Sequence, residues 1–319
     1  MSINLNVKQS MREAFGKALE ELGAKDENIV VLDADLSGST QTKVFAKSFP
    51  ERFFNVGIAE QNLISTAAGL AVAGKTAFAA TFAMFATGRT YDQIRNGVCY
   101  QNLNVKIIGT HGGLTVGEDG ATHQALEDVA LMRGLPNMTV IVPADAKECE
   151  EAVRYAYSHS GPFYIRISRN SLPAIFGEDY IFENKATTVV EGSDVAIITN
   201  GEMLLDCIKS AEILKEKGIN AKVVNLPFVK PIDKEGVIKI ARETGLVITV
   251  ENHSTIGGIG SAVCEVLSEN YPIPVIRFGV EDCFGQSGTP AALMKEYGLD
   301  SVSIAGRVES IYDSIKSGN

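Results

Sequence analysis

The residues best suited to chemistry fall in three short segments. In the first, Asn55-Val-Gly-Ile-Ala-Glu60-Gln-Asn62, one carboxylate sits among apolar neighbours at an expected strand-to-helix turn. No basic residue stands close to Glu60 in the sequence. A buried acid without a basic partner is costly, so it shifts its pKa or serves a ligand; its plainer role is an acid favoured at a helix start. The second segment is Thr81-Phe-Ala-Met-Phe85. Two phenylalanines three apart lie on one side of a helical turn and can wall a flat ring, although such pairs are ordinarily core. The third is His111-Gly-Gly-Leu-Thr-Val-Gly-Glu-Asp119-Gly-Ala-Thr-His123-Gln124. It puts two imidazoles and an acid on one glycine-rich loop, where imidazole can move protons and glycine lets backbone crowd a ligand.

Those segments need a scaffold, and the flanking pattern supplies one. From residue 10 to about 168, short apolar runs alternate with amphipathic stretches. Strands are expected at 29–32, 52–56, 76–80, 105–110, 139–142 and 163–168. Helices are expected at 11–22, from about Gln61, and at 89–101, 128–134 and 146–158. This alternation describes a parallel sheet covered on both faces, with functional loops at the carboxyl ends of its strands. The loops at 33–40, 57–62, 81–85, 111–124 and 168–170 would then share one edge. Residues 171–190 read as a connector with a strand-like piece at 187–190. A second alternating unit follows, with strands at 195–199, 221–225, 246–251 and 275–278. Its helices are expected at 203–217, 233–244 (capped by Asp233), 260–270, about 290–297 and 307–316. The fold class is therefore α/β with two domains, 1–185 (connector from about 171) and 186–319, each a mainly parallel sheet flanked by helices. Thr255-Ile-Gly-Gly-Ile-Gly260 lacks the G-x-G-x-x-G spacing and reads as a tight turn, and His253 beside Glu251 as a loop or interface pair.

Composition narrows the function classes. A chain of 319 residues suits two cores, and 45% hydrophobic with 21% charged residues is globular. There is no apolar run of about 18 residues and no secretory layout at the N-terminus. Cys99, Cys149, Cys207, Cys264 and Cys283 are scattered without a Cys-x-x-Cys pair, as expected for free thiols in a reducing compartment. Four histidines and no His/Cys cluster speak against a protein-built zinc site. A net charge of −10 speaks against nucleic acid or an anionic membrane as partner. A soluble, cytoplasmic protein is expected.

In order and spacing the three segments resemble the pyrimidine-binding half of transketolases, enzymes that use thiamine diphosphate, and the likeness runs over almost the whole chain. Its most specific part is Gly-Glu-Asp-Gly-x-Thr-His-Gln at 117–124, which 1-deoxy-D-xylulose 5-phosphate synthases share. The resemblance implies that Glu60 is the acid that stabilises the imino form of the cofactor's pyrimidine. The cofactor's own amino group can then take the thiazolium proton. Phe82 and Phe85 match the pair that stacks on the pyrimidine. A third aromatic of many transketolases falls here at Gly88, leaving Tyr91 or a partner chain to fill its place. His111 and His123 match the histidines that bind the sugar near the reacting carbons, and Asp119 the acid that reads a substrate hydroxyl. Arg12, Ser39 and Arg169 match the residues that hold the substrate's terminal phosphate, and Asp35 an acid at the cofactor-facing subunit interface. The family binds the diphosphate through Mg²⁺ held by a Gly-Asp-Gly segment and a later Asn. No Gly-Asp-Gly occurs in this sequence, so no metal ligand is expected from this chain.

The expectation is thus the C-terminal subunit of a split transketolase of the pentose phosphate pathway, moving a two-carbon ketol unit between sugar phosphates. An N-terminal partner chain would carry the diphosphate and Mg²⁺ site, in a hetero-oligomer with two copies of each. Three other readings compete. The β-subunit of a 2-oxo acid dehydrogenase decarboxylating component has the same split, but the histidine loop and the arginines favour sugars. A 1-deoxy-D-xylulose 5-phosphate synthase shares the loop but is usually one chain. A non-catalytic regulatory paralogue would show a replaced Glu60 or a broken histidine loop, and neither is present.

Overall fold

The computed structural model describes residues 4–317. Its strands begin with β1 (Asn4–Ser10), β2 (Ile29–Asp33), β3 (Phe53–Asn55), β4 (Thr76–Phe82), β5 (Val105–Thr110), β6 (Thr139–Ile141) and β7 (Phe163–Ile167). β2 to β7 form a parallel sheet in the order β6-β7-β5-β4-β2-β3. β2, β5 and β7 are buried at every position, which explains why they are largely apolar without alternation, with Lys106 and Arg166 the charged residues buried inside β5 and β7. Met11–Gly23 and Ala146–Ser158 cover one face through Phe15, Leu19, Cys149 and Val153. Glu60–Val72 covers the other through Leu63, Ile64 and Ala67. Ser10 and Asp145 cap the first two of these helices, each accepting from the backbone N–H three residues on. Because β2, β3, β4, β5 and β7 run parallel, the loops that follow them emerge on one edge, as their sequence order leads one to expect.

The chain continues through β8 (Ser171–Ala174), β9 (Thr187–Val190), β10 (Val195–Thr199), β11 (Ala221–Asn225), β12 (Phe228–Lys230), β13 (Val247–Ser254) and β14 (Val275–Val280). The second sheet has the order β14-β13-β10-β11-β9 and is parallel except for β9. The molecule is therefore α/β with two domains, each a mainly parallel sheet flanked by helices. Two pairings have no counterpart in the sequence reading. β1 pairs antiparallel with β8 in a separate two-stranded sheet, and β12 pairs antiparallel with β6, extending the first sheet with a strand from the second half of the chain. A three-residue Phe-Val-Lys strand has no periodicity to read, and its partner lies far away in sequence. The expected helix at 89–101 is also different: Ala83–Thr87 forms a short helix and Gln93–Cys99 a wide π-type one. No helix among the described residues is long and apolar enough to cross a membrane.

Buried carboxylates join the halves. Asp145 Oδ2 accepts from the backbone N–H groups of Ile175 and Phe176, and Glu148 Oε1 accepts from Tyr180 Oη at 2.6 Å and Asn225 Nδ2 at 2.7 Å. Thr255-Ile-Gly-Gly-Ile-Gly260 is a turn whose following helix start is filled by the chain itself: Glu251 accepts from the N–H groups of Ile259 at 2.9 Å and Gly260 at 3.0 Å. His253 is buried where the two domains meet, and its Nε2 accepts from the Ala130 N–H at 3.4 Å.

Candidate active site

Glu60 is the first residue of its helix, where free N–H groups and the helix dipole favour an acid, and its side chain is only 4% exposed. It has a basic partner after all. Arg89 Nη1 lies 2.9 Å from Glu60 Oε2, correcting the sequence-based expectation of an unpaired acid. The turn of chain after Ala83–Thr87 brings Arg89 back over 29 residues, and Gln61 Nε2 steadies it by donating to the Arg89 carbonyl. The guanidinium also stands over the Phe85 ring at 4.6 Å. Phe82 and Phe85 face each other nearly parallel, 6.0 Å apart and 13° between planes. Tyr91 is partly buried and packs against the core. The planar, N–H-bearing Arg89 borders the aromatic pair.

The aromatic pair leads directly to the two imidazoles. His111 stacks on Phe82 at 3.9 Å, and His123 meets Phe85 edge-on at 5.3 Å. His111 ends the apolar run of β5 at φ +58°, and its Nδ1 is 2.9 Å from Thr110 Oγ1. Burial, then the charges of Arg12, Arg169 and His123, push its pKa down to about 3. The imidazole is therefore neutral at pH 7 and can donate through one nitrogen while accepting through the other. The linkage follows in sign: the folded pKa lies below the unfolded one near 6.5, so between pH 6.5 and 3 only the unfolded chain takes up this proton. Stability from this group is present above that window and is lost as pH falls through it. The His111→Gln variant should lose melting temperature less steeply than wild type between about pH 6.5 and 4, measured by calorimetry. Parallel curves would contradict the buried, neutral imidazole.

Next to the imidazoles lies a cationic corner. Arg169, just after β7, donates to the Val116 carbonyl and stands 3.6 Å from Asp119 and 3.9 Å from Glu118. Arg12 Nη1 donates to the Ser39 carbonyl at 2.7 Å, while its Nε is buried with no hydrogen-bond partner. Burial and then the nearby Arg169 lower the Arg12 pKa. Two neighbouring guanidiniums, one of them with an unsatisfied donor, form a corner suited to a phosphate. Ser39 meets Arg12 through its carbonyl. Asp35 stands apart at the rim, at φ +63° and hydrogen-bonded in both directions to Asn55. The structure brings Glu60, Phe82, Phe85, His111, His123, Asp119, Arg12 and Arg169 together, with Arg89, which the sequence reading did not single out, among them.

The loop geometry depends on glycine. Gly113 has φ +81° and ψ −172°, and a Cβ there would lie 2.4 Å from Asn252 Nδ2. Gly113→Ala is expected to cost about 2 kcal/mol or more from backbone strain alone, read as a lower midpoint in urea unfolding. An unchanged midpoint would mean that the loop relaxes freely.

Comparison with known proteins places this geometry in a family. Residues 7–174 match the transketolase pyrimidine binding domain, and residues 184–304 match the transketolase C-terminal domain. The chain belongs to the transketolase family. It is 51% identical to a Methanocaldococcus jannaschii protein, by its name a transketolase C-terminal section, over 95% of this chain and 96% of that one. It is 42% identical to a 6-deoxy-6-sulfo-D-fructose transketolase subunit of Clostridium sp. (strain MSTE9), over 92% of each chain. Among solved structures it is similar to a split-gene transketolase described as an inactive β4 tetramer, with a TM-score of 0.87, 52% identity, and coverage of 94% of this chain and 97% of the other.

Transketolases depend on thiamine diphosphate, and the residues of this transketolase-family chain fit its pyrimidine end. The aromatic pair offers a flat wall and Glu60 a buried carboxylate. Thr81 Oγ1, beside Phe82, is buried without a hydrogen-bond partner. Among the described residues, no group of three or more His, Cys, Asp or Glu side chains is arranged to hold a metal ion.

Proposed function

We propose that this chain is the C-terminal subunit of a split transketolase that, with an N-terminal partner, moves a two-carbon ketol unit between sugar phosphates. The carrying observation is the continuity of the site. Glu60 connects through Arg89 to Phe85, Phe85 to His123, and Phe82 to His111, whose proton affinity Arg12 and Arg169 depress. One edge of one sheet thus offers an acid, an aromatic wall, two imidazoles and two guanidiniums.

When bound, thiamine diphosphate supplies the nucleophilic carbon that adds to the ketose carbonyl and carries the two-carbon unit. This chain's residues do the rest. Glu60 holds a proton against the pyrimidine ring at Oε1, the carboxylate oxygen that does not pair with Arg89. Phe82 and Phe85 orient the ring and exclude water from one side. His111 and His123 hydrogen-bond the sugar hydroxyls near the bond that breaks, and neutral imidazole can take or return a hydroxyl proton. Asp119 selects a hydroxyl, and Arg12 and Arg169, with Ser39, hold the terminal phosphate. Asp35 would face the partner. The partner would carry the Mg²⁺ and diphosphate site, in a hetero-oligomer with two copies of each chain. The β4 state described for the similar split transketolase supports the view that this half self-associates and is inactive without its partner.

The test is ketol transfer from xylulose 5-phosphate to ribose 5-phosphate with thiamine diphosphate and Mg²⁺. It is run on the chain alone and after co-expression with a candidate chain carrying Gly-Asp-Gly and the later Asn. Activity only in the mixture is the expected result. Activity of the chain alone would refute the split assignment. An intact complex that transfers nothing between these sugars would refute this substrate pair.

A further inference from the structure

The loop from His111 to Gln124 is held in large part by the second half of the chain. The Leu114 N–H donates to Asn252 Oδ1 at 2.9 Å, across 138 residues. Asn252 Nδ2 in turn donates to Glu202 Oε1 at 2.7 Å and to Thr115 Oγ1 at 3.3 Å. Glu202 grips two segments of the site at once, the loop at Thr115 and the chain just after β7 at Ser168. Its Oε1 accepts from the Thr115 hydroxyl at 2.5 Å, and its Oε2 accepts from the Ser168 hydroxyl at 2.7 Å. Asn252 is 3% exposed, and its carbonyl accepts from Arg166 Nη2, which also donates to Ala125 at the far end of the loop. Asn252 lies in β13 and Glu202 is the cap residue of the helix after β10, so both come from the second domain.

The consequence is geometric. Ser168 immediately precedes Arg169, and Thr115 immediately precedes Val116, whose carbonyl accepts from Arg169. The Ser168–Glu202–Thr115 bridge therefore sets the spacing between the Arg169 strand end and the loop that carries Asp119. We propose that Asn252 and Glu202 are positioning residues for the sugar side of the active site. They fix the backbone at Leu114 and Thr115 and thereby place Asp119 and Arg169 against the substrate. The inference rests on the transketolase reading above for its catalytic consequence, and on the hydrogen bonds alone for its structural one. It assigns the C-terminal domain a task in substrate binding, while the cofactor end, with Glu60 and the phenylalanines, lies outside the network.

The pair allows a specific repair. Asn252→Asp keeps an acceptor for Leu114 but sets a carboxylate against Glu202, a repulsion between partly buried like charges. Glu202→Gln alone keeps an acceptor for Asn252, but its amide must donate to the Ser168 hydroxyl, which in the wild type donates to Glu202, so it should weaken the bridge less than Asn252→Asp does. In the double variant, the amide introduced at position 202 can donate to the carboxylate introduced at position 252, and a single negative charge remains. Two readouts apply. In the free chain, hydrogen exchange over residues 111–120 should quicken about tenfold in Asn252→Asp and return to within about threefold of wild type in the double variant. In the reconstituted complex, Asn252→Asp should raise KM for xylulose 5-phosphate about tenfold while kcat and thiamine diphosphate affinity stay within about twofold, with KM restored in the double variant.

An unchanged exchange rate in Asn252→Asp, a double variant no better than the single one, or an equal loss of thiamine diphosphate affinity would each overturn the proposal. If the wild-type complex transfers no ketol unit, the functional reading fails by itself, and the exchange measurement alone decides whether the pair orders the loop.

Discussion

Glu60→Ala is expected to abolish ketol transfer by the reconstituted enzyme while leaving the chain folded. The side chain is almost fully buried at a helix start beside the aromatic pair, and it is the acid of the site that the phenylalanine wall borders through Arg89. A positioned acid–base group contributes on the order of a hundred- to ten-thousandfold, and no other carboxylate among the described residues pairs with Arg89 to take over. The loss should fall on kcat, because the role is to activate the cofactor and not to hold the sugar. Stability should change little, although an ion pair is broken. Arg89 is 49% exposed and can turn to water, so its charge is not stranded as it would be in a closed core. A melting temperature within a few degrees of wild type, with turnover down about a thousandfold, is the expected combination. Substantial residual transfer in the folded variant would remove Glu60 from its assigned role. Glu60→Gln sharpens the test: it retains the size and a hydrogen-bond acceptor, so activity near wild type would mean that the exchangeable proton is irrelevant.

The partner of Glu60 shows why sequence reading stopped where it did. The acid, the phenylalanine pair and the histidine loop were legible because each is a local pattern of unusual residue types, and because alternating apolar runs imply a parallel sheet that gathers its loops at one edge. Arg89 carries no such signal: its pairing depends on how tightly the chain turns after Thr87 and on the change from an ordinary helix to the wide one at Gln93–Cys99. Asn252 and Glu202 were invisible for the same reason, since they reach the loop across 138 and 87 residues. β12 was missed because pairing with β6 is a tertiary choice that a three-residue strand does not announce. The elements that position the site were readable, and the side chains that arrive at it from elsewhere were not.

The cationic corner carries the second large effect. Arg12→Ala combined with Arg169→Ala should raise KM for xylulose 5-phosphate by roughly a hundredfold, while KM for xylulose without the phosphate changes little. Each charge-assisted hydrogen bond to phosphate contributes about 1.5–3 kcal/mol, or roughly ten- to a hundredfold per residue when not fully additive. Single variants should differ in character. Arg169 is already engaged by the Val116 carbonyl and by Asp119, so its loss also loosens the loop and should reduce kcat with both donors. Arg12 contacts the Ser39 backbone and retains a buried, unsatisfied Nε, so its loss should weaken phosphate binding without loosening the loop. The two charges also hold the His111 imidazole down, after burial itself. Removing both should raise the His111 pKa from about 3 toward, but not to, its ordinary value. The acid limb of the pH profile measured with unphosphorylated xylulose should then move to higher pH. A KM that rises equally for both donors would show that the arginines support the loop and do not read the phosphate. An acid limb that stays in place would separate them from His111.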